Sequence, residues 1–105
     1  MSIIVGIPEL ASAVADRAWG YLLTVGPDLR VHALAVATGF RDGVFLVAAG
    51  RSTCSNATER PEVTMVFPPL EVGGMSLIVD GTADVDGVTV RITPTGAVLH
   101  RAAPV

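Results

Sequence analysis

The chain has 105 residues, 50% of them apolar and 16% charged, with a formal net charge of −3, and that length suits one domain around one core. All seven basic residues are arginines spread along the chain, which excludes lysine Schiff-base chemistry and leaves Arg, hydroxyls, backbone N–H groups and helix N-termini as anion ligands. With one Trp, one Tyr and three Phe, the chain also lacks the basic patch and stacking aromatics of a broad nucleic-acid face.

Met1-Ser2-Ile3-Ile4-Val5-Gly6-Ile7-Pro8 opens the chain as an apolar run without a positive n-region, broken by Gly6 and Pro8, and so makes a poor signal peptide. Pro8 to Ala18 carries Leu10, Val14 and Ala18 at helical spacing with Pro at the entry, which predicts one short amphipathic helix. Tyr21–Val25 is a compact strand, Gly26-Pro27-Asp28 turns the chain, and Arg30–Val36 returns as its antiparallel partner. Arg41-Asp42-Gly43 is the next turn signal, and Val44–Ala49 is a strand apolar on both faces. From Gly50 to Pro61 nearly every residue is polar or small. Val63–Phe67 then resumes a strand that Pro68-Pro69 stops.

Beyond Gly73-Gly74, Met75–Val85 and Val88–Thr93 flank Asp86-Gly87, the composition of a type I′ hairpin with positive φ at both central residues. Val88, Val90 and Ile92 face one way and Thr89, Arg91 and Thr93 the other, as in a half-buried strand. Pro94-Thr95-Gly96 predicts a further turn before a last strand, Ala97–Arg101. The rhythm of about seven strands with one helix before them predicts a closed or nearly closed antiparallel barrel in a single domain over residues 1–105. No apolar run reaches the roughly 18 residues of a membrane span. The apolar excess predicts a homodimer that buries one patch on both subunits. A lone cysteine, Cys54, and the absent leader predict a cytoplasmic protein.

The stretch Arg51-Ser52-Thr53-Cys54-Ser55-Asn56 is the one chemically suggestive segment. Its hydroxyls and amide are good N-caps, Asn56 and Glu59 have capping-box spacing, and the N–H groups of such a helix start carry partial positive charge outward. Two readings fit the residues: a phosphate cradle, or a capped short helix crossing the barrel end.

Strand order, the segment Ala49–Val63 and the closing Thr93–Arg101 together resemble the split β-barrel family of pyridoxamine 5′-phosphate oxidase-like flavin-binding proteins, in particular its short actinobacterial members. The resemblance spans Trp19 to Arg101. It implies a mainly β fold, a split antiparallel barrel of about six to seven strands with one N-terminal helix and one short helix between strands. It implies FMN or a deazaflavin as cofactor, with Arg51, Ser52, Thr53 and Asn56 at the phosphate and His32 nearer the ring. Arg51 and Ser52 stand for the family's first basic residue and hydroxyl, and Asn56…Pro61-Glu62-Val63 for its entry into the next strand. Thr53, Cys54 and Ser55 occupy the place of a second basic residue, a departure that removes a charge-assisted contact of roughly 1.5–3 kcal/mol.

Other candidates weigh toward structural roles. Trp19 and Tyr21 read as packing at the helix-to-strand junction. Cys54 has no identifiable base beside it, and Asp80, Asp84 and Asp86 read as a solvated hairpin face rather than a calcium loop. Two His and one Cys give no metal spacing. Two functions follow as expectations: a flavin-nucleotide-binding oxidoreductase acting on a small molecule, or a split barrel without catalysis that serves as a dimeric binding or interaction module.

Overall fold

In the computed structural model, which describes residues 1–104, antiparallel pairing organises nearly the whole chain. The strands are β1 (Ser2–Val5), β2 (Trp19–Val25), β3 (Val31–Ala37), β4 (Phe40–Arg41), β5 (Val44–Ala48), β6 (Glu62–Phe67), β7 (Ser76–Asp86) and β8 (Thr89–His100). A 3-10 turn (Ile7–Glu9) leads into helix α1 (Leu10–Val14), and helix α2 (Arg51–Glu59) joins β5 to β6.

The sheet order is β3-β2-β6-β7-β8-β5-β4, with β1 added to β8. Strand β8 pairs with β7 along its length, while its other edge takes β5 near its start and β1 near its end. One strand thus serves two neighbours on one edge, which curls the sheet into a split barrel.

Alternation decides what lies inside. The cross-strand row Leu34, Leu22, Met65, Val79, Ala97 and Val5 faces inward. Shifted by one residue, the row Ala35, Tyr21, Val66, Ile78, Val98 and Ile4 faces outward. Phe45 and Phe67 fill the centre with ring centroids 5.7 Å apart, and Leu10 and Val14 of α1 close the core from one side.

The split barrel with two helices agrees with the reading of the sequence, and four details differ. First, Ser2–Val5 is a strand, because it finds the C-terminal half of β8 as its partner. Second, the predicted helix over Pro8 to Ala18 is α-helical only from Leu10 to Val14, since the chain leaves the helix to set Arg17 beneath the 68–75 loop. There Arg17 Nη1 donates to the carbonyls of Pro68 and Met75, each at 3.0 Å. Third, Pro94 does not end a strand: it sits inside β8 opposite Gly81, at a register shift between Asp80 and Gly81 that relieves the ladder of a missing donor.

Fourth, Asp86 pairs with Thr89, so the hairpin loop is Gly87-Val88 and only Gly87 has positive φ, at 62°. The double positive φ of a type I′ turn occurs at Asp42-Gly43 instead, with φ of 52° and 81° between β4 and β5.

Candidate functional site

Helix α2 crosses one end of the barrel and packs on β2, β7 and β8. Its first turn begins at Gly50, extended at φ −77° and ψ 178°, with no side chain capping the helix and no acidic residue in that turn. The first backbone bond is Cys54 N–H to the Gly50 carbonyl at 3.0 Å, so the N–H groups of Arg51, Ser52 and Thr53 have no partner within the helix. Arg51 and Ser52 are exposed beside them, and the space above Gly50 is open.

The helix divides its side chains by face. Thr53, Cys54, Asn56 and Ala57 are buried, while Arg51, Ser52, Ser55 and Thr58 are exposed. Asn56 Nδ2 donates to Thr24 Oγ1 at 3.2 Å inside the barrel, and Cys54 Sγ lies 3.5 Å from the Ala49 carbonyl. At the far end Arg60 Nε donates to the Val25 carbonyl at 2.6 Å. The structure therefore sets the exposed Arg51 and Ser52 at the helix start, where the N–H groups of residues 51–53 have no partner within the helix. The side chains of Thr53 and Asn56 point to the opposite face.

His32 lies across from Thr24 at the other edge of β2, half exposed, with Nε2 3.9 Å from Asp28 Oδ1. Among the described residues no hydrogen bond or ion pair joins it to Arg51 or Ser52. Trp19 and Tyr21 stack edge to face at 5.2 Å on the outer sheet face, and His100 Nδ1 lies 3.0 Å from Ser2 Oγ. Asp80 accepts from Thr64 Oγ1 at 2.7 Å, and no cluster of three His, Cys, Asp or Glu side chains forms a metal site among the described residues. No helix among them is long and apolar enough to cross a membrane.

The start of α2 fits a phosphate in part. It offers free N–H groups, one guanidinium and one hydroxyl to solvent. A second cation is not among these groups.

One feature escaped sequence reasoning. A cavity of about 420 Å³ lies between α1 and the β3–β4 link, lined by Val14, Arg17, Thr38 and Phe40 among others. Arg17 Nε and Thr38 Oγ1 beside it are buried without partners. Its only trace in the sequence is an Arg near the end of the predicted helix, Pro8 to Ala18.

Comparison with solved structures agrees with the topology. A FAD-binding protein of Mesorhizobium loti superposes with a TM-score of 0.76 at 10% identity, covering 98% of each chain. A putative pyridoxamine 5′-phosphate oxidase of Listeria innocua gives 0.75 at 12% identity, covering 89% of this chain and 96% of that one. An F420 reductase gives 0.68 at 17% identity, covering 83% and 94%. At these identities the likeness defines the class by fold: a split β-barrel of the pyridoxamine 5′-phosphate oxidase-like kind.

No family model matches the chain. Two mycobacterial proteins, the uncharacterized protein Mb0449c of Mycobacterium bovis and the uncharacterized protein MT0457 of Mycobacterium tuberculosis, are each 38% identical over 118 residues, covering 95% of this chain and 83% of theirs. The chain belongs to the family of these two proteins.

Proposed function

We propose that this protein binds the phosphate of a flavin-type nucleotide, FMN or a deazaflavin, at the start of α2 and acts as an oxidoreductase on a small molecule. The observation that carries this reading is the uncapped, solvent-facing helix start with Arg51 and Ser52 beside its free N–H groups. The compared split barrels named as a FAD-binding protein and an F420 reductase support the choice of ligand class. A bound flavin would supply hydride transfer, and the protein's part is to bind and orient it. Arg51 and Ser52 hold the phosphate charge, and the barrel end behind α2 is closed by the Asn56–Thr24 bond.

The working unit in this proposal is a cytoplasmic homodimer. Support for a dimer comes from the apolar outer row of Tyr21, Val66, Ile78 and Val98, which offers a surface to a second copy. One observation favours a second reading, a non-catalytic binding module: of Thr53, Cys54 and Ser55, which occupy the place of a second basic residue, the first two turn into the core and Ser55 offers solvent a hydroxyl and no charge.

The test is a titration of the purified protein with FMN and with a deazaflavin, followed by absorbance and fluorescence. Binding in the micromolar range is expected, and Arg51→Ala should weaken it by roughly 1.5–3 kcal/mol, about tenfold or more. A protein that binds neither compound at high micromolar concentration leaves the second reading standing.

A further inference from the structure

Arg17 sits just past α1, half-buried beneath the 68–75 loop. Its Nη1 donates to the carbonyls of Pro68 and Met75, each at 3.0 Å, and lies 3.5 Å from that of Phe67. In a guanidinium, Nε–H and Nη2–H run side by side along one edge that Nη1 does not share, and this edge grips a planar carboxylate with two parallel bonds. In Arg17 that edge is unused. Nε is buried without a hydrogen-bond partner, Nη2 makes no hydrogen bond among the described residues, and no carboxylate among them pairs with the guanidinium. Native structures rarely leave a buried donor unmet, because its lost hydration is not repaid.

A second unmet group lies at the same cavity. The space of about 420 Å³ between α1 and the β3–β4 link is lined by both Arg17 and Thr38, and the Thr38 hydroxyl is likewise buried without a partner. Its backbone is held in place, since Thr38 N–H donates to the Ala18 carbonyl at 3.0 Å. The rest of the wall is apolar, with Val14, Ala15, Ala18 and Phe40. Small-molecule sites combine a volume of roughly 300–1,000 Å³ with apolar walls and a few polar groups, and this cavity has all three.

We propose that the cavity binds a small monocarboxylate with an apolar body, an aromatic or short-chain aliphatic acid. The carboxylate takes the Nε/Nη2 edge of Arg17, the Thr38 hydroxyl supplies a further donor, and the body lies against Val14, Ala15, Ala18 and Phe40. Entry requires a small rotation of the Arg17 and Thr38 side chains, both half-buried, to bring the covered Nε and Oγ1 to the ligand. Charge selects the class. Arg17 is the one ionisable residue lining the cavity, so it balances a single carboxylate charge, whereas a phosphate dianion would be buried with half its charge unmet. None of the lining residues belongs to α2, so the site does not depend on the flavin reading.

The experiment titrates the full chain, without flavin, with benzoate and with hexanoate by calorimetry, and follows the Arg17 Nε–H resonance by NMR. Both acids should bind with Kd at or below about 1 mM and move that resonance along a saturating curve. Benzyl alcohol, which keeps the ring and lacks the charge, and inorganic phosphate should each bind about tenfold more weakly or worse. Thr38→Val keeps the shape and the backbone bond to Ala18 and removes an unpaired hydroxyl, so Tm should not fall while benzoate affinity drops about tenfold. Ala15→Phe fills the cavity from an exposed position and should abolish binding, with circular dichroism as the check on folding. Binding of neither acid at about 10 mM leaves both groups to water and overturns the site. Benzyl alcohol or phosphate binding as tightly as benzoate, or a benzoate affinity that survives either substitution in the folded protein, overturns it as well.

Discussion

Replacing Asn56 by Ala asks which face of α2 anchors the helix. Asn56 is 4% exposed and donates to the hydroxyl of Thr24, itself 1% exposed, at 3.2 Å. The substitution leaves the Thr24 hydroxyl buried without this partner, at a cost of about 1–3 kcal/mol. A domain of this size loses roughly 4–8 °C of Tm per kcal/mol, which makes the shift visible in a thermal melt followed by circular dichroism. Thr24→Val strands the Asn56 amide and costs a similar amount. The double variant Asn56→Ala with Thr24→Val should cost less than the sum of the singles, with an interaction energy of about 0.5–3 kcal/mol. Flavin affinity of the folded variants should stay within about 0.5 kcal/mol of wild type, as for uncoupled sites. An Asn56→Ala protein with wild-type Tm and lost flavin affinity would place Asn56 among the ligands and refute the division of α2 into two faces.

Leu29 has φ of 63° in the β2–β3 turn and is 80% exposed, so it bears left-handed strain without burying its side chain. Leu29→Gly should relieve about 1 kcal/mol after the entropy loss of glycine, raising Tm by about 4–8 °C; an unchanged or lower melting temperature contradicts the strain. Ser55 is exposed one turn beyond Arg51, and Ser55→Arg supplies a second cation on the solvent face of α2. Flavin affinity should rise about tenfold, against a like-charge cost to the helix of about 0.2–0.5 kcal/mol, and an affinity unchanged in the titration argues against a phosphate at this helix start.

The barrel was legible because its strands are apolar runs separated by Gly, Pro and Asp turns, a local signal that survives without tertiary context. A short helix after β5 was legible as a sharp change from apolar to polar composition, but its start was not: the capping spacing of Asn56 and Glu59 pointed to the wrong place, and the helix begins at Arg51 after Gly50, with no side chain capping it. What escaped depended on distant partners. Strand β1 is defined by pairing with Ala97–His100, nearly the whole chain away, and nothing near Ile3 announces it. Pro94 looked like a strand breaker because its tolerance comes from Gly81 on the neighbouring strand. The burial of Asn56 was not legible either, because a polar residue in a polar segment gives no sign that its amide will meet Thr24, 32 positions earlier, inside the barrel.

The division of α2 into two faces explains how the site and the fold can change separately. The residues that seat α2 on the barrel are Thr53, Cys54, Asn56 and Ala57, all on its inner face. The groups offered to an anion are backbone N–H groups, which every sequence supplies, together with Arg51 and Ser52 on the outer face. In the site proposed above, phosphate affinity would therefore rest on exposed positions whose substitution costs little stability, within about 0.5 kcal/mol at ordinary surface sites. The absence of a second cation over positions 53–55 lowers the charge available to a ligand and leaves the helix seat intact, because Thr53 and Cys54 pack inward while Ser55 faces solvent. A split barrel built this way can keep its architecture while its ligand affinity drifts, so strength of binding must be read from the outer face of α2 and cannot be inferred from the barrel.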